Sequence, residues 1–191
     1  MSYWTKEDHI KLDKHNLIGK GLFSKVFKVS ENEVVILTND NAKECMSCFC
    51  QGYKHIPRME RIEDIGEFQA YKMPLYNKLT KKNFPKAWKE YVEINKALKY
   101  LRLEKWTCFA ACIKAIQDNE NLSESLKESL SGLFDMMASY TDEIFLDLAK
   151  RNFMVDHEGI LILTDIVGSS HELEKQWSQR IKNKKASRFS M

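Results

Sequence analysis

Apolar and polar residues alternate through the first third of the chain, a period that favours β-strands. Leu17–Val29 predicts two strands around a glycine turn, and Glu33–Thr38 predicts a third strand, which together form a three-stranded meander. Asn41–Gln51 has the spacing of one short helix. His55–Met59 and Phe68–Tyr76 predict two further strands. This third of the chain is therefore expected to form a small, mainly antiparallel sheet with a single helix.

From Pro85 onward the apolar residues recur every three or four positions, as they do on the buried face of a helix. Pro85 suits a first helical turn, and Ser123 suits the cap of a later helix. Three helices are predicted, and their expected core residues are Trp88, Tyr91, Asn95, Leu98 and Leu101; Trp106, Phe109, Ala110, Ile113 and Ile116; and Leu126, Leu130, Leu133, Phe134 and Met137.

A tight hairpin is predicted after the third helix. The apolar runs Phe153–Val155 and Ile160–Leu163 are separated by Asp156–Gly159, which has the composition of a turn. Two short antiparallel strands would bring the residue before the first run close to the residues after the second. The hairpin is therefore expected to close a small polar space at its open end.

Three oxygen-bearing side chains flank this hairpin. Asp147 and Asn152 precede it, and Asp165 follows it. Oxygen ligands gathered in one place suit Mg²⁺. A structural alternative is that Asp147 and Asn152 cap a turn and Asp165 ends a strand. The spacing favours the metal-binding interpretation.

The segment F-L-D-L-A-K-R-N, followed by D-I-V, resembles the catalytic loop and metal-binding hairpin of protein kinases, H-R-D-L-x-x-x-N and D-F-G. This resemblance implies that Asp147 accepts the proton of a substrate hydroxyl. It also implies that Asn152 and Asp165 hold the Mg²⁺ ions that neutralise the phosphates of ATP. Phe145 in place of the motif histidine and Ile166-Val167 in place of Phe-Gly are mild departures from the pattern.

The first glycine turn, L-I-G-K-G-L-F-S, resembles the kinase glycine-rich loop that covers the ATP phosphates. Gly19 and Gly21 match the first two glycines of that loop, and Ser24 stands at the third. Val26 matches the valine that packs on adenine. A lone G-x-G is weak by itself, because glycine serves any tight turn.

The third strand departs from the kinase pattern V-A-I-K, whose lysine pairs with the α- and β-phosphates and with a helix glutamate. The matching residues place Leu37 at the lysine position, and leucine cannot bind phosphate. Lys28, which has the strand parity of Val26, and Lys20, in the glycine turn, are alternatives for a relocated lysine. Glu44 is the matching helix glutamate, and without its partner we expect it to face solvent.

The resemblance implies an α+β, bilobal, protein kinase-like fold with a truncated, mostly helical second lobe. Residues 1–76 would form the small lobe, residues 77–171 a minimal large lobe, and residues 172–191 a basic tail. The second lobe would lack the A-P-E element and the peptide platform that follows it in larger kinases. The interlobe hinge is expected at Lys72–Leu75, where the backbone around Met73 would meet the adenine edge.

Composition limits the size of the core and the roles open to the cysteines. The 191 residues, 43% of them hydrophobic, suffice for one core or two small lobes. The odd number of cysteines argues against a disulfide framework. Four of them, Cys45, Cys48, Cys108 and Cys112, could together bind zinc. In the other interpretation they pack as reduced thiols in helix interfaces. The cysteines are Cys45, Cys48, Cys50, Cys108 and Cys112.

The chain carries a formal net charge of +3, and its last segment, Trp177–Met191, contains five basic residues and no acidic one. Such a segment could bind nucleic acid, although a short basic terminus is more often solvated. No apolar run reaches the length of a membrane span, and the N-terminus lacks a signal-peptide core. We therefore expect no membrane partner and a cytoplasmic location.

These features resemble the small early serine/threonine kinases of short-tailed bacteriophages. That resemblance implies transfer of the ATP γ-phosphate to host proteins during host takeover, with ATP and Mg²⁺ as cofactors. If a phage encodes the protein, the expected location is the cytoplasm of the host bacterium. A second hypothesis is a pseudokinase, with Leu37 in place of the lysine, that acts by binding a host protein. A third is a nucleic-acid-binding protein that uses the basic tail.

Overall fold

The computed structural model describes residues 3–4, 11–21, 23–101, 108–139 and 144–169. The protein is an α+β protein with a five-stranded antiparallel sheet and, within the described ranges, four α-helices. This architecture agrees with the α+β prediction and is compatible with a small two-lobed fold. The basic tail and Trp106 lie outside the described residues, as does the side chain of Phe145.

The five-stranded sheet is built from β3 to β7, in the order β3-β4-β5-β7-β6. Two short strands, β1 (Tyr3–Trp4) and β2 (Lys11–Leu12), pair with each other. The sheet strands are β3 (Leu17–Lys20), β4 (Ser24–Lys28), β5 (Glu33–Thr38), β6 (Glu60–Ile65) and β7 (Phe68–Pro74). The predicted meander corresponds to β3, β4 and β5 and is confirmed.

The two faces of the sheet carry separate apolar clusters. On one face Leu37 packs with its strand neighbour Val35 and with Phe27, Ala70 and Leu12, and we call this the outer cluster. The opposite face carries the inner cluster, which consists of the buried residues Val34, Ile36 and Met73, with Val26, Leu75 and Tyr76 packed against them. Alternation along β5 separates these clusters, because successive strand residues point to opposite faces.

Four α-helices lie in the segments that the sequence predicts to be helical. They are α1 (Asn41–Phe49), α2 (Pro85–Leu98), α3 (Phe109–Gln117) and α4 (Glu124–Ser139). The core residues predicted for α4 are all fully buried. In α3, Ile116 is buried and Phe109 and Ile113 pack against the buried core as predicted, whereas Ala110 is exposed and Cys112 is buried instead.

The C-terminal part of the described chain forms two small sheets. In the first, β10 (Phe153–Val155) pairs with β11 (Leu161–Leu163) and with β8 (Asn77–Lys78). In the second, β9 (Ile144–Leu146) pairs with β12 (Val167–Ser169). The predicted hairpin is confirmed: Asp156 accepts the amides of Glu158 and Ile160, and Gly159 takes a φ of +83°.

The main core joins α1 to the helices and to the hairpin. Met46 and Cys50 belong to the same cluster as Leu130 of α4 and Phe153 and Leu163 of the hairpin. Helix α1 therefore packs with the C-terminal elements as well as with the sheet. No helix of the described residues is both long and apolar enough to cross a membrane.

The strand predicted at His55–Met59 is wrong. The segment is a loop, and β6 begins only at Glu60. The His55 side chain is buried between the Leu161 carbonyl, 2.7 Å from Nδ1, and the Ser125 hydroxyl, 3.0 Å from Nε2. Its backbone carbonyl accepts the Leu163 amide at 2.8 Å. These partners hold the segment against α4 and β11, where it cannot also pair as a strand in the sheet.

Candidate functional site

Asp147 lies at the end of β9, where its backbone amide donates to the Ile166 carbonyl at 2.8 Å. One carboxylate oxygen accepts the Ala149 amide at 3.1 Å, and the other pairs with the Arg151 guanidinium at 2.7 Å. About a third of the side chain is exposed. Asp147 is therefore a fixed carboxylate that an external hydroxyl group can approach.

Asn152 is the buried centre of this arrangement. It ends a short 3-10 turn (Lys150–Asn152), and its Nδ2 donates to the Asp147 carbonyl at 2.9 Å. Its own backbone carbonyl accepts the Thr164 hydroxyl at 3.0 Å and the Asp165 amide at 3.4 Å. Because the amide nitrogen is committed to Asp147, the side-chain oxygen Oδ1 is the atom available as a ligand.

Asp165 follows β11 and is tied to the same centre through Asn152. Its carboxylate, about half exposed, accepts a bond from Lys43 of α1 at 2.8 Å. The Lys43 ammonium also donates to the Thr164 carbonyl. The three oxygen-bearing residues predicted from the sequence thus share one network, and the structure adds to it a lysine that the sequence analysis did not assign to the site.

This donor set suits a hard cation. It offers two carboxylates and one amide oxygen, and Mg²⁺ binds such oxygen ligands with a preference for one or two carboxylates. Among the described residues, no three His, Cys, Asp or Glu side chains form a cluster that could hold a metal ion. Nucleotide phosphates and water would therefore have to complete the coordination of Mg²⁺ at Asp165 and Asn152.

The inner cluster lies on the same side of the sheet as Asp165. Ile36 stands opposite Val26 in β4 and opposite Tyr71 in β7. Tyr71 donates to Gln69 on that face, and Gln69 donates to Glu44 of α1 at 3.0 Å. Since α1 also carries Lys43, the apolar inner cluster and the polar network flank the same helix. Val26 and Met73 thus give this face of the sheet an apolar surface.

Leu37 faces away from this site. It is fully buried in the outer cluster, on the opposite side of the sheet from Val26 and Ile36. The sequence analysis placed Leu37 in the cleft as a substitute for the phosphate-binding lysine, and that assignment is wrong. A one-residue difference in register moves every side chain of a strand to the other face. The residues of β5 on the same face as Val26 are Val34, Ile36 and Thr38.

The two lysines suggested as replacements lie on the sheet near the glycine turn. Lys28 is exposed and stands opposite Val34, and Lys20 is exposed at the end of β3, opposite Lys25. Glu44, the expected partner of a cleft lysine, instead pairs with Arg61 at 2.9 Å and is only partly exposed. The expectation that Glu44 faces solvent therefore holds only in part.

The glycine turn is a tight β3–β4 connection. The Gly21 amide donates to the Ser24 carbonyl at 2.8 Å, and the Ser24 hydroxyl donates to Thr38. A side chain added at Gly19 would reach to 3.4 Å from the Val26 Cβ, whereas one at Gly21 would meet nothing closer than 3.8 Å. Gly19 thus keeps the backbone close to Val26, whereas the Gly21 amide is bonded within the turn and is not free to bind a ligand.

The segment predicted as a hinge offers fewer backbone donors than expected. Pro74 has no amide hydrogen, and the Leu75 amide donates to the Asn32 carbonyl at 2.7 Å. Met73 lies in the inner cluster, as a base-contacting residue would. The side of Met73 that would meet a ligand is therefore apolar, and a backbone hydrogen bond from Pro74 or Leu75 to a base is excluded in this arrangement.

The five cysteines are free. Cys45, Cys50 and Cys112 are buried, and Cys48 and Cys108 are exposed. Burial raises the pKa of Cys50 and of Cys112 to about 11, so that both remain thiols at neutral pH. Reduced, packed thiols account for these three buried positions.

No protein-family model matches the chain, and no curated protein sequence matches it significantly.

Proposed function

We propose that this protein is a minimal, protein kinase-like phosphotransferase that transfers the γ-phosphate of ATP to Ser or Thr hydroxyls of host proteins. The observation that carries the proposal is the hydrogen-bonded network in which Asn152 connects Asp147 to Asp165. In this role Asp147 accepts the hydroxyl proton, and Asn152 and Asp165 hold Mg²⁺. The bound Mg²⁺ would supply positive charge to the transferring phosphate.

The inner cluster supports the nucleotide part of this proposal. A purine needs an apolar surface, and Val26, Ile36 and Met73 provide one on the side of the sheet that faces α1. The resemblance to the early kinases of short-tailed phages supplies the protein substrate and the role in host takeover, which rest on sequence pattern alone.

A second function, that of a pseudokinase that binds a host protein without phosphotransfer, is favoured by one observation. Both carboxylates of the site are engaged by cations of the same chain, Asp147 by Arg151 at 2.7 Å and Asp165 by Lys43 at 2.8 Å. These internal cations would compete with Mg²⁺ for both carboxylates. The two functions differ in whether Mg-ATP can displace these internal partners.

The first experiment is thermal unfolding of the full-length protein with and without Mg-ATP. A ligand at about 100 times its Kd should stabilise the native state by roughly 2.7 kcal/mol. A shift that needs both Mg²⁺ and ATP supports the nucleotide site, and transfer of labelled γ-phosphate to proteins of a bacterial lysate then tests the enzyme. Absence of any shift at millimolar Mg-ATP would refute the phosphotransferase and leave the second function.

A further inference from the structure

Lys43 is the most deeply buried lysine among the described residues. Its side chain is 4% exposed, although it belongs to a helix whose neighbouring positions Asn41 and Cys48 are open to solvent. Burying an ammonium group is unfavourable by several kcal/mol unless partners compensate, and holding a long side chain in one rotamer adds an entropic penalty. The burial of Lys43 therefore has to be explained by specific partners of its ammonium group.

The partners of Lys43 lie at the candidate metal site. The ammonium donates to Asp165 and to the Thr164 carbonyl, so two of its three hydrogens have acceptors within the described part of the chain. Asp165 itself is 47% exposed. The cation thus forms the inner wall of a site whose carboxylate is open to solvent, unlike an ion pair that is sealed on both sides.

We propose that Lys43, carried by helix α1, is the residue that binds the nucleotide phosphates, in place of a lysine on strand β5. This inference rests on the proposed nucleotide-binding function and deepens it. Asp165 would hold Mg²⁺ together with a nucleotide phosphate, and Lys43 already contacts Asp165, so its ammonium lies where such a phosphate would come within reach. The ammonium then exchanges one anionic oxygen for another and stays paired.

The positions of the other residues considered for phosphate binding do not bring them to the polar network. Leu37 is in the outer cluster, and the positions of β5 on the opposite face hold Val34, Ile36 and Thr38. Lys20 and Lys28 are exposed on the strands that flank the glycine turn. Lys43 alone among these lysines has a contact with a residue of the polar network in the described structure.

Helix α1 also holds Lys43 in place without help from a ligand. Asp40 caps the helix by accepting the Ala42 amide at 3.0 Å, and Met46 is fully buried in the core shared with the hairpin. The adjacent Glu44 points to Arg61 and Gln69 and so does not compete for the ammonium. The phosphate-binding cation is thus fixed before the nucleotide arrives, which lowers the entropy lost on binding.

The test compares the affinities of the protein for Mg-ATP and for adenosine, which lacks phosphates. Titrations followed by thermal shift or calorimetry would use wild type, Lys43→Met, Lys43→Arg and, as matched controls, Lys28→Met and Lys20→Met. We expect Lys43→Met to weaken Mg-ATP binding about 10- to 100-fold, the range for losing a charged hydrogen bond. Adenosine affinity should not change, Lys43→Arg should restore part of the loss, and both controls should bind as wild type.

The outcomes separate this inference from the function on which it rests. If wild type does not bind Mg-ATP, the proposed function fails and the inference fails with it. If wild type binds and Lys43→Met binds equally well, only the inference is overturned. Equal losses for Mg-ATP and adenosine would also overturn it, because they would indicate a damaged fold and not a lost phosphate contact.

A second measurement on wild-type protein covers the case in which Lys43→Met does not fold. An ATP derivative whose terminal phosphate carries an acyl group as a mixed anhydride transfers that acyl group to a lysine near the phosphates. The lysine amine attacks the acyl carbon and an amide forms. The bond between the acyl carbon and the phosphate oxygen breaks, ATP leaves, and the amine proton passes to solvent. Mass spectrometry should find the acyl group on Lys43, with labelling suppressed by excess ATP. ATP-sensitive labelling of Lys20 or Lys28 instead would overturn the inference.

Discussion

The two halves of the candidate site are held in different ways. The Asp147–Asp165 half is local: Asn152 connects both acids by hydrogen bonds within one hairpin and the loop before it. The other half is assembled from distant segments, since Val26 and Ile36 come from the sheet and Lys43 comes from α1. The Lys43 contact with Thr164 spans 121 residues of sequence.

This difference shows which part of a site tolerates rearrangement. Local spacing restricts the positions of the acids, because Asn152 is the fifth residue after Asp147 and a fixed turn follows. A cation, however, can come from any element whose side chain reaches the same point in space. The acids should therefore behave as irreplaceable residues, whereas the origin of the positive charge is specific to this chain.

The largest effect is expected in the local half. Asp147→Asn keeps the acceptor for the Ala149 amide but removes the base, so γ-phosphate transfer should fall about 10²- to 10⁴-fold. Mg-ATP binding, measured by thermal shift, should remain near wild type. Transfer at the wild-type rate by Asp147→Asn would contradict the role given to this residue.

The next effect tests which face of β5 belongs to the site. Leu37→Lys restores a lysine where the sequence pattern expects one, but it places an ammonium in the fully buried outer cluster. We expect the free energy of unfolding to fall by at least about 3 kcal/mol, with no gain in Mg-ATP affinity. The matched control is Lys28→Leu on an exposed position of β4, which should leave stability within about 0.5 kcal/mol of wild type. A stable Leu37→Lys protein with tighter nucleotide binding would show that the sheet is assigned the wrong way round.

A third prediction addresses the point where the halves meet. Asp165→Asn retains an oxygen for the Lys43 ammonium but loses the negative charge that holds Mg²⁺. At an ATP concentration of about 100 times the wild-type Kd, the Mg²⁺-dependent stabilisation of roughly 2.7 kcal/mol should disappear. Differential scanning calorimetry with ATP in Mg²⁺ or in EDTA measures this directly. Asp156→Asn, in the turn of the same hairpin, is the control and should keep the Mg²⁺ dependence.

The smallest effect concerns His55, which ties the loop after α1 to the hairpin. Burial lowers the pKa of His55 below its ordinary value of 6.5, so the unfolded chain binds this proton more readily than the native protein. The contribution to stability is therefore fully present above pH 6.5 and is lost as the pH falls below that value. Urea unfolding between pH 5 and pH 8 should show this slope in wild type.

The matched variant is His55→Gln, which has no titrating group and should show a flatter profile over the same range. His157→Gln, at an exposed position of the hairpin turn, should keep the wild-type slope. If His55→Gln retained the full slope, another group would have to be responsible.

Much of the fold follows from local pattern. The β5 strand, the four described helices and the hairpin were predicted from periodicity and turn residues, because each buries one face of a regular element. The spacing of Asp147, Asn152 and Asp165 likewise predicted their meeting at one site. Such features are encoded within about twenty residues of sequence, where neither register nor packing partner has to be known.

Three features could not be obtained in this way. The pairing of β9 with β12 joins two three-residue segments that carry too little pattern to be recognised separately. The His55 loop looks like a strand until its contacts with α4 are known. Lys43 stands in a helix with the spacing of any surface lysine, and only the packing of α1 against the hairpin reveals that it is buried.

One consequence of the Lys43–Asp165 contact concerns synthesis of the chain on a ribosome. The ammonium leaves the exit tunnel long before the carboxylate is translated, and until then it has no anionic partner at this position. Burying the Lys43 ammonium before Asp165 is present would be unfavourable. We therefore expect α1 to reach its final packing only after the hairpin has been synthesised. A nascent chain that stops before the hairpin would lack the Asp165 partner of Lys43, and the site forms only after the hairpin has been synthesised.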